Sequence, residues 1–490
     1  MLFRWGRPTV LLLFLAAGAG WVHGQMQPQK PAQEPPKTFS EAAATEVLAK
    51  VQEEAVIWLA DLLRMDTINP PGNELAAAKY LANILEKEGI PAEVLESAPG
   101  RGIVVARLRS SPVPNPSQAL LLLGHVDVVG VQKEKWSVDP FGGVIKNGYL
   151  YGRGAIDDKG MVIANLAVFV ALKRAGVRLN RDLIFLAEGD EEQGGDFGID
   201  FAINKYWDKI AAGFALNEGG RVMAKDGKVL YVGVQASEKI PINVTVIATG
   251  PSGHASMPRK DNPVLHLAAA VAKIGEYQAP ARPTTIVRRY FEQLSKIEDP
   301  ETAKWMRAME MSDRAEHAIR VLSDLNPLWS SMLHDSIAPT ILRAGIRSNV
   351  VPSEAVATLN VRLLPGDLIT TLVADLAKLV NDPQVRLEPA PASRQPAPPS
   401  SLDTELYRVI ERKTPEVFAD AIVVPFMSTG ATDSAQLRLH KVQAYGLLPF
   451  PLTEEDDRRM HADDERIPLA AFHKGIEFLY TVVEEFVRAR

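Results

Sequence analysis

The chain has 490 residues, of which 46% are hydrophobic and 23% charged, so it can bury more than one hydrophobic core. Its formal net charge of -6, spread over mixed acidic and basic residues, excludes the basic surfaces that bind nucleic acid or a membrane. The absence of cysteine excludes disulfides, a thiolate nucleophile and thiolate metal ligands. We therefore expect a small molecule or peptide as substrate, and any metal site must consist of histidine and carboxylate.

The first 24 residues have the pattern of a secretory signal peptide. Arg4 and Arg7 precede an apolar run at 10–18, and short residues follow it. A membrane anchor is the alternative, but the run is shorter than the roughly 18 to 20 apolar residues that span a bilayer. Residues 25–40 are polar and proline-rich, which suits an extended linker. The pattern predicts a periplasmic or secreted protein.

Helices then alternate with short apolar strands over residues 41–236. Helical spacing covers residues 43–65, 73–88 and 161–175. Strands buried on both faces are predicted at 119–124, 182–187 and 212–216. Each strand run is followed by carboxylate or imidazole side chains, namely His125, then Glu191 and Glu192, then Glu218. Because ligands of open α/β sheets collect at the carboxyl ends of strands, we expect these residues to lie close together.

The pattern changes over residues 237–388, where it predicts an inserted α+β domain. Its predicted strands lie at 240–248 and 355–363, and its predicted helices at 262–275 and 368–380. Helical stretches at about 283–335 interrupt this domain, and we expect them to pack on it as ordinary core. A proline-rich segment then returns the chain to the first domain, which residues 389–490 complete with helices at 402–413 and 469–488.

The remaining candidate site residues lie in two further motifs and beside the first histidine. Asp127 follows His125 by two positions, so on an extended segment its carboxylate can orient the imidazole. Asp157 and Asp158 precede a helix, where they would by themselves be ordinary caps. His461 supplies a second imidazole.

Together these side chains are typical of a site for two divalent metals. Zinc accepts histidine nitrogen and carboxylate oxygen, and a carboxylate can bridge two ions about 3.5 to 4 Å apart. Asp157 is the expected bridge. Of the adjacent glutamates Glu191 and Glu192, one can bind metal while the other acts as general base. The sequence therefore predicts a two-metal hydrolase.

Five ordered motifs, GHVDVV, YGRGAIDDKG, GDEEQGG, LNEGG and MHADDE, resemble the M20 family of metallopeptidases. This family includes carboxypeptidase S, aminoacylases and carnosinase-like dipeptidases. The match covers nearly all of residues 45–488 and is nearest to the carboxypeptidase S branch and its secreted N-acyl-amino-acid hydrolase relatives. It implies an α/β di-zinc exopeptidase-type catalytic domain with an inserted α+β lid of the kind through which some relatives dimerise.

The resemblance also implies how the ligands are shared. His125 and Glu218 would bind one zinc ion, His461 and Glu192 the other, and Asp157 would bridge the two ions. Cobalt or manganese would suit the same ligands. The resemblance further implies a cis peptide bond between Asp157 and the residue after it.

Other residues receive roles by the same resemblance. Glu191 would be the general base, and Asp127 would support the first histidine. His254 would stabilise the oxyanion, while Asn349 and Arg362 would hold the substrate carboxylate, a task that suits the arginine fork. Asp433, in the run TGATDS, would support the site from outside it. In dimeric relatives the histidine that corresponds to His254 enters the active site of the partner subunit. In monomeric relatives an equivalent residue comes from the same chain.

The expected function is thus hydrolysis of an amide bond next to a free carboxylate, by a carboxypeptidase or an N-acyl-amino-acid hydrolase. A dipeptidase of the same family is one alternative. The other is a catalytically silent exported peptide-binding protein, which should lack a ligand or the base, whereas all are present here. The expected partner is a small peptide or N-acyl amino acid, without nucleic acid or membrane, and a homodimer through the lid fits the resemblance.

Overall fold

The structure is a computed structural model that describes residues 41–110, 113, 115–392 and 394–489. The signal peptide expected at 1–24 and the linker expected at 25–40 lie outside these residues. In the part of the chain that is described, no helix has the length and apolar character needed to cross a membrane.

Helices occur along the whole described chain, and those expected from the sequence are found at nearly the expected positions. The helices are α1 (Glu41–Leu63), α2 (Glu74–Lys87), α3 (Lys159–Arg174), α4 (Ile199–Ile210), α5 (Pro263–Gly275), α6 (Thr285–Leu294), α7 (Pro300–Ala308), α8 (Ala315–Leu325), α9 (Pro327–Leu333), α10 (Ile369–Val380), α11 (Glu405–Val417), α12 (Ser434–Leu439), α13 (Glu454–Asp457) and α14 (Leu469–Val487).

The strands fall into one large sheet and several smaller ones. They are β1 (Ala92–Ala98), β2 (Arg101–Leu108), β3 (Leu120–His125), β4 (Val144–Lys146), β5 (Tyr149–Tyr151), β6 (Leu183–Glu188), β7 (Phe214–Asn217), β8 (Arg221–Lys225), β9 (Lys228–Glu238), β10 (Ile240–Thr249), β11 (Gly253–His254), β12 (Ser336–Ala344), β13 (Val350–Val351), β14 (Glu354–Leu363), β15 (Val385–Pro389), β16 (Ile422–Ser428), β17 (Gln443–Gly446), β18 (Pro451–Leu452) and β19 (Arg466–Pro468).

The large sheet has the order β1-β2-β6-β3-β7-β17-β9-β8-β18, with β16 paired to β9. Its central strand β3 runs parallel to β6 and β7, and every residue of β3 and β6 is buried. Successive residues of a strand face opposite sides, so Leu122 joins the core beneath α1, α3 and α14 while Leu121 joins the core beneath α4. Helices thus cover both faces, and the predicted α/β class is confirmed.

A second sheet, antiparallel with the order β12-β14-β10-β15, lies within residues 237–389. Alternate residues of β14 are buried, and they share a separate hydrophobic cluster with α5 and α10. The sequence predicted β10 and β14 but missed β12 and β15. β12 is almost wholly exposed and lacks alternating burial, and β15 alternates over only five residues, none of them fully buried, so neither stands out in the sequence.

The helices α6 to α9 belong to the hydrophobic core of the large sheet, with α6 in contact with β16 and α7 to α9 following it, which corrects the expectation that residues 283–335 pack on the inserted domain. α6 lays Ile286, Tyr290 and Phe291 against β16, and the ring centre of Tyr290 lies 6.0 Å from that of Phe426. Helical periodicity shows that a helix has an apolar face, but not which partner covers that face.

Candidate two-metal active site

The predicted metal ligands lie at the carboxyl edge of the large sheet. His125 is the last residue of β3 and pairs in register with Glu188, the last residue of β6. Glu191 and Glu192 follow in a short 3-10 turn, and Glu218 comes directly after β7. The three parallel strands end side by side, which confirms the expectation that these side chains lie close together.

Asp157 lies between the two imidazoles. Its Oδ1 is 3.1 Å from Nε2 of His125, and its Oδ2 is 3.0 Å from Nε2 of His461. Nε2 of His461 is also 3.0 Å from Oε1 of Glu192. The peptide bond between Asp157 and Asp158 is cis, as the resemblance implies. One carboxylate oxygen faces each imidazole, which is the arrangement that a ligand bridging two ions requires.

Glu465 holds the loop that carries Asp157. Its buried carboxylate accepts hydrogen bonds from the backbone N–H groups of Gly154, Ile156 and Asp157, at 3.1, 2.8 and 3.1 Å, and it pairs with Nη1 of Arg153 at 2.7 Å. Glu465 was not among the predicted site residues, although it is the last residue of the motif MHADDE that supplies His461. Its position in the motif that carries a metal ligand could have marked it as a residue that supports the site.

Asp127 joins the end of β3 to the turn that carries the paired glutamates. Its Oδ1 is 3.3 Å from Nδ1 of His125, as the predicted supporting role requires. The same carboxylate accepts hydrogen bonds from the backbone N–H groups of Glu191 and Glu192, each at 3.2 Å, and from Nδ2 of Asn69 at 2.9 Å. It therefore fixes the imidazole and both glutamates with one fully buried side chain.

Arg394 contacts the candidate general base, and the sequence did not predict this contact. Its Nη2 lies 2.7 Å from Oε1 of Glu191 and 3.0 Å from the carbonyl oxygen of that residue. Its Nη1 donates to Oδ1 of Asp433 at 2.9 Å and to Oε1 of Gln436 at 3.2 Å. Arg394 is 7% exposed although it belongs to the proline-rich return segment. Asp433, expected to support the site, thus reaches Glu191 through this arginine.

The site concentrates negative charge away from water. Burial raises the pKa of Glu191 to about 8, although Arg394 opposes the shift. Burial and the charge of Asp157 raise the pKa of Glu218 well above its ordinary value. Hydrogen bonds to two carboxylate neighbours raise the pKa of His461 to about 10. These raised pKa values reflect carboxylates crowded together away from water, and such a concentration of negative charge favours the binding of cations.

A cavity of about 620 Å³ opens over these residues and extends to the second sheet. Its lining includes Arg362 of β14, one of the two residues predicted to hold the substrate carboxylate. His254 and Asn349 are exposed and lie outside this lining, and Nδ1 of His254 is 2.7 Å from Oγ of Ser256. One chain therefore brings Arg362 to the cavity but neither His254 nor Asn349.

The family model for peptidase family M20/M25/M40 matches residues 121–485. The chain belongs to this family. The M20 chain is 30% identical over 377 residues to the probable carboxypeptidase S-like 2 of Dictyostelium discoideum, with 74% of this chain and 71% of the relative covered. It is also 30% identical over 377 residues to N-fatty-acyl-amino acid synthase/hydrolase PM20D1 of Xenopus tropicalis, with 74% and 72% covered.

The fold of the M20 chain is similar to that of a solved relative, the M20 family metallo-carboxypeptidase Sso-CP2 from Sulfolobus solfataricus. The TM-score is 0.64 at 20% identity, with 88% of this chain and 99% of that chain covered. This likeness concerns the fold and confirms the predicted exopeptidase-type architecture. Family membership confirms that the chain is a hydrolase of the metallopeptidase class.

The residues of the M20 chain fit the pair of metal ions that this family binds. Ligand atoms of His125, Asp157 and Glu192 lie within 4.8 Å of one another, and so do ligand atoms of His125, Glu191 and Glu218. Imidazole nitrogen and carboxylate oxygen are donors that zinc accepts. The assignment of each ligand to one ion stays a prediction.

Proposed function

We propose that the chain is an exported two-zinc amidohydrolase that cleaves an amide bond next to a free carboxylate, as a carboxypeptidase or an N-acyl-amino-acid hydrolase. The observation that carries this proposal is the cavity, in which Glu191 and the metal ligands face a lid that supplies Arg362. The names of two relatives, one carboxypeptidase S-like and one an N-fatty-acyl-amino acid synthase/hydrolase, support this substrate class. The signal-peptide pattern of residues 1–24 supports export.

Two zinc ions would be held by the residues that surround Asp157. His125 and Glu218 would hold one ion, and His461 and Glu192 the other, with Asp157 between them. When bound, the ions supply Lewis acidity to the amide carbonyl and to the attacking water. Cobalt and manganese suit the same donors.

Glu191 is the residue that we assign to proton transfer. Arg394 holds its Oε1, so Oε2 is the atom that can accept the proton of the attacking water and later deliver it to the leaving amine. Burial keeps this carboxyl out of water, beside the ligands and within the catalytic cavity, where a proton acceptor for the attacking water must lie. Asp127 keeps the glutamate in place through its backbone N–H.

Arg362 is the residue that we assign to the substrate carboxylate. Its Nε donates to Oδ1 of Asn360 at 3.0 Å, which orients the guanidinium. Its two Nη atoms can then pair with a carboxylate in bidentate geometry. His254, exposed in a single chain, would reach the oxyanion by movement of the lid or from a second copy.

Hydrolysis of a substrate panel by the purified mature protein tests this function. The panel contains N-acyl amino acids, dipeptides and C-terminally blocked peptides, assayed after chelation and again after zinc is restored. We expect zinc-restored cleavage only of substrates with a free carboxylate. No cleavage of any substrate by protein that retains two bound metals would support the silent binding protein instead.

The role of Glu191 is tested by Glu191→Gln. We expect turnover to fall by about 10²- to 10⁴-fold with both metals still bound, because proton transfer is lost while the ligands are kept. Glu86→Gln, at an exposed position of α2, is the matched control and should leave turnover unchanged. Equal turnover of the Glu191→Gln variant and the control would exclude this base.

Export is tested separately by N-terminal sequencing of the full-length product from secretion-competent cells. We expect the mature chain to begin near residue 25. An intact Met1 on the purified protein would contradict cleavage of a signal peptide.

A further inference from the structure

Three arginines line the catalytic cavity, and they differ in how fully their guanidinium groups are paired. Arg394 is held by two carboxylates and an amide, so its donors are already used. Arg362 donates from Nε to the neutral side chain of Asn360, and burial lowers its pKa while no carboxylate of the described residues opposes the shift. Arg362 therefore keeps its charge available to a substrate. The third arginine is Arg221, the first residue of β8.

The guanidinium of Arg221 is fixed in direction but only partly paired. Its carbon lies 5.1 Å from the ring centre of Phe426, a distance typical of a cation–π contact, and Phe426 also lines the cavity. Nη1 lies 3.4 Å from Oδ2 of Asp457, while Nε is buried and has no hydrogen-bond partner among the described residues. A guanidinium carries several N–H donors in a planar fork, so Arg221 can still pair with an anion.

Arg221 and Arg362 line the same cavity from different parts of the chain. Arg221 follows the predicted metal ligand Glu218 by three residues, and Arg362 pairs in register with Pro241, which is also part of the lining. The cavity has a volume of about 620 Å³, which is in the range that holds one small molecule. A single substrate can therefore contact both guanidinium groups.

The charge of the cavity depends on the metal ions that its ligands fit. Its lining has three guanidinium groups against five carboxyl groups, those of Asp157, Asp158, Glu191, Glu192 and Glu218. Two divalent ions at the predicted ligands would reverse this excess and leave the cavity with a net positive charge. Such a cavity favours a substrate with more than one negative charge.

A second cavity, of about 770 Å³, adjoins the first at Arg221, which lines both. Its lining has three cationic residues, Arg221, Lys225 and Arg458, against five acidic ones, Asp226, Glu298, Glu454, Glu455 and Asp457. None of the predicted metal ligands lines it, so the acidic excess there is not reversed by metal. A carboxylate is repelled from this second cavity and is stabilised on the catalytic side of Arg221.

We infer that the substrate carries a second carboxylate and that Arg221 binds it. This inference rests on the proposed function, in which Arg362 holds the carboxylate next to the scissile amide. The second carboxylate belongs either to the side chain of the amino acid, as in an N-acyl-glutamate, or to the far end of the acyl group, as in an N-glutaryl amino acid. In both cases the fork of Arg221 can hold it in bidentate geometry.

Two pairs of matched substrates test the inference and distinguish the two positions. N-acetyl-glutamate is compared with N-acetyl-glutamine, and N-glutaryl-leucine with N-pentanoyl-leucine. We expect kcat/KM of the zinc-loaded enzyme to favour the charged member of one pair by about 10- to 100-fold, because a hydrogen-bonded charge is recognised in a cavity shielded from water. The pair that shows this preference identifies the part of the substrate that Arg221 contacts.

Arg221→Gln should bring the ratio of the two kcat/KM values close to one while the neutral substrate is cleaved as before. Asp457→Asn should act in the opposite direction, because it removes the only carboxylate within ion-pair distance of Arg221 among the described residues. We expect it to raise the ratio by about twofold to fivefold. Lys225→Gln is the matched control, since Lys225 is exposed on the same strand and outside the catalytic cavity, and it should leave the ratio unchanged.

Binding to an inactive protein gives a second measurement. Calorimetry on zinc-loaded Glu191→Gln should show tighter binding of the charged substrate, and the added change Arg221→Gln should remove the difference. Equal binding of charged and neutral substrates before that change would count against the role of Arg221.

Equal or faster hydrolysis of the neutral member in both pairs, a preference that Arg221→Gln retains, or a ratio that falls in Asp457→Asn would overturn the second carboxylate. Each of these results would leave the proposed function standing. No hydrolysis of any of the four substrates would instead overturn the proposed function.

Discussion

The catalytic cavity lies between the large sheet and the lid, and a single chain brings more of the predicted site residues into place on the sheet side than on the lid side. On the large sheet, His125, Asp157 and Glu191 are held by buried hydrogen bonds to Asp127, Glu465 and Arg394. The lid brings Arg362 to the cavity, while His254 and Asn349 are exposed outside it. The sheet side is thus held in place within one chain, whereas under the proposed function the lid side would need a movement or a second chain to bring His254 and Asn349 to the cavity.

The largest effect is expected from a mixture of two inactive variants. Glu191→Gln should lower turnover by about 10²- to 10⁴-fold, and His254→Ala by about 10²- to 10³-fold, through loss of the base and of an oxyanion donor. If His254 enters the active site of a second copy, each mixed dimer keeps one site with both groups. We therefore expect activity to return when the two variants are unfolded together and refolded as a mixture.

The control is the same mixture made from two separately refolded variants, which should stay inactive until the subunits exchange. Failure of the co-refolded mixture to regain activity would place His254 in its own chain's site and leave lid movement as the route.

Glu465→Ala should be the most destabilising change on the sheet side. The substitution leaves the buried guanidinium of Arg153 without its carboxylate partner. It also removes the hydrogen-bond acceptor of three backbone N–H groups. Breaking such a buried pair costs about 3 to 5 kcal/mol of unfolding free energy, which urea unfolding would measure. Glu86→Ala on exposed α2 is the control, and equal unfolding midpoints of the two variants would contradict this view of the loop.

Arg394→Met should lower turnover by less than Glu191→Gln, and it also leaves the buried carboxylate of Asp433 without its guanidinium partner, which costs stability. It removes the two contacts to Glu191, so the base is held less firmly while the metal ligands stay in place. We expect kcat to fall by about 10- to 100-fold with little change in KM, as for other residues that position a catalytic group. Arg386→Met, which removes an exposed pair with Glu388, should change neither quantity. A loss confined to KM would mean that Arg394 binds substrate instead.

A pH-dependent effect, small per pH unit, concerns the link between the two sheets. Lys239, between β9 and β10, donates to the carbonyl oxygens of Ser331 and His334, each at 2.8 Å. Burial lowers its pKa to about 7 from 10.5. Between these pH values the unfolded chain binds more protons than the folded one, so the free energy of unfolding should rise with pH, by about 1.4 kcal/mol per unit at most.

Lys239→Met removes the titrating amine, so the free energy of unfolding should change less with pH over this range. Lys228→Met, at an exposed position of β9, should leave the slope unchanged. Urea unfolding at a series of pH values between 7 and 10 gives both slopes, and identical slopes for the two variants would show that Lys239 keeps its ordinary pKa.

The central strands and the residues at their ends could be predicted from the amino-acid sequence. β3, β6 and β7 are continuous apolar runs. Such runs predict buried parallel strands, because apolar side chains on both faces of the strand must be buried by other parts of the chain. The ligands follow directly after these runs or lie in short motifs, so local order along the chain was enough to group His125, Glu192 and Glu218. The strands β12 and β15 were missed because β12 is exposed without alternating burial and β15 alternates over only five residues.

Contacts between residues far apart in the chain could not be predicted and depend on the complete fold. Arg394 lies in a proline-rich segment without periodicity, and nothing local marks its contact with Glu191 about 200 positions earlier. The insertion α6 to α9 has an apolar face that could have covered either sheet, and its packing against β16 places Trp329 beside a cavity that Arg221 joins to the active site. Residue spacing specifies which face of an element is apolar, whereas the partner of that face depends on the shape and free surface of the whole folded chain.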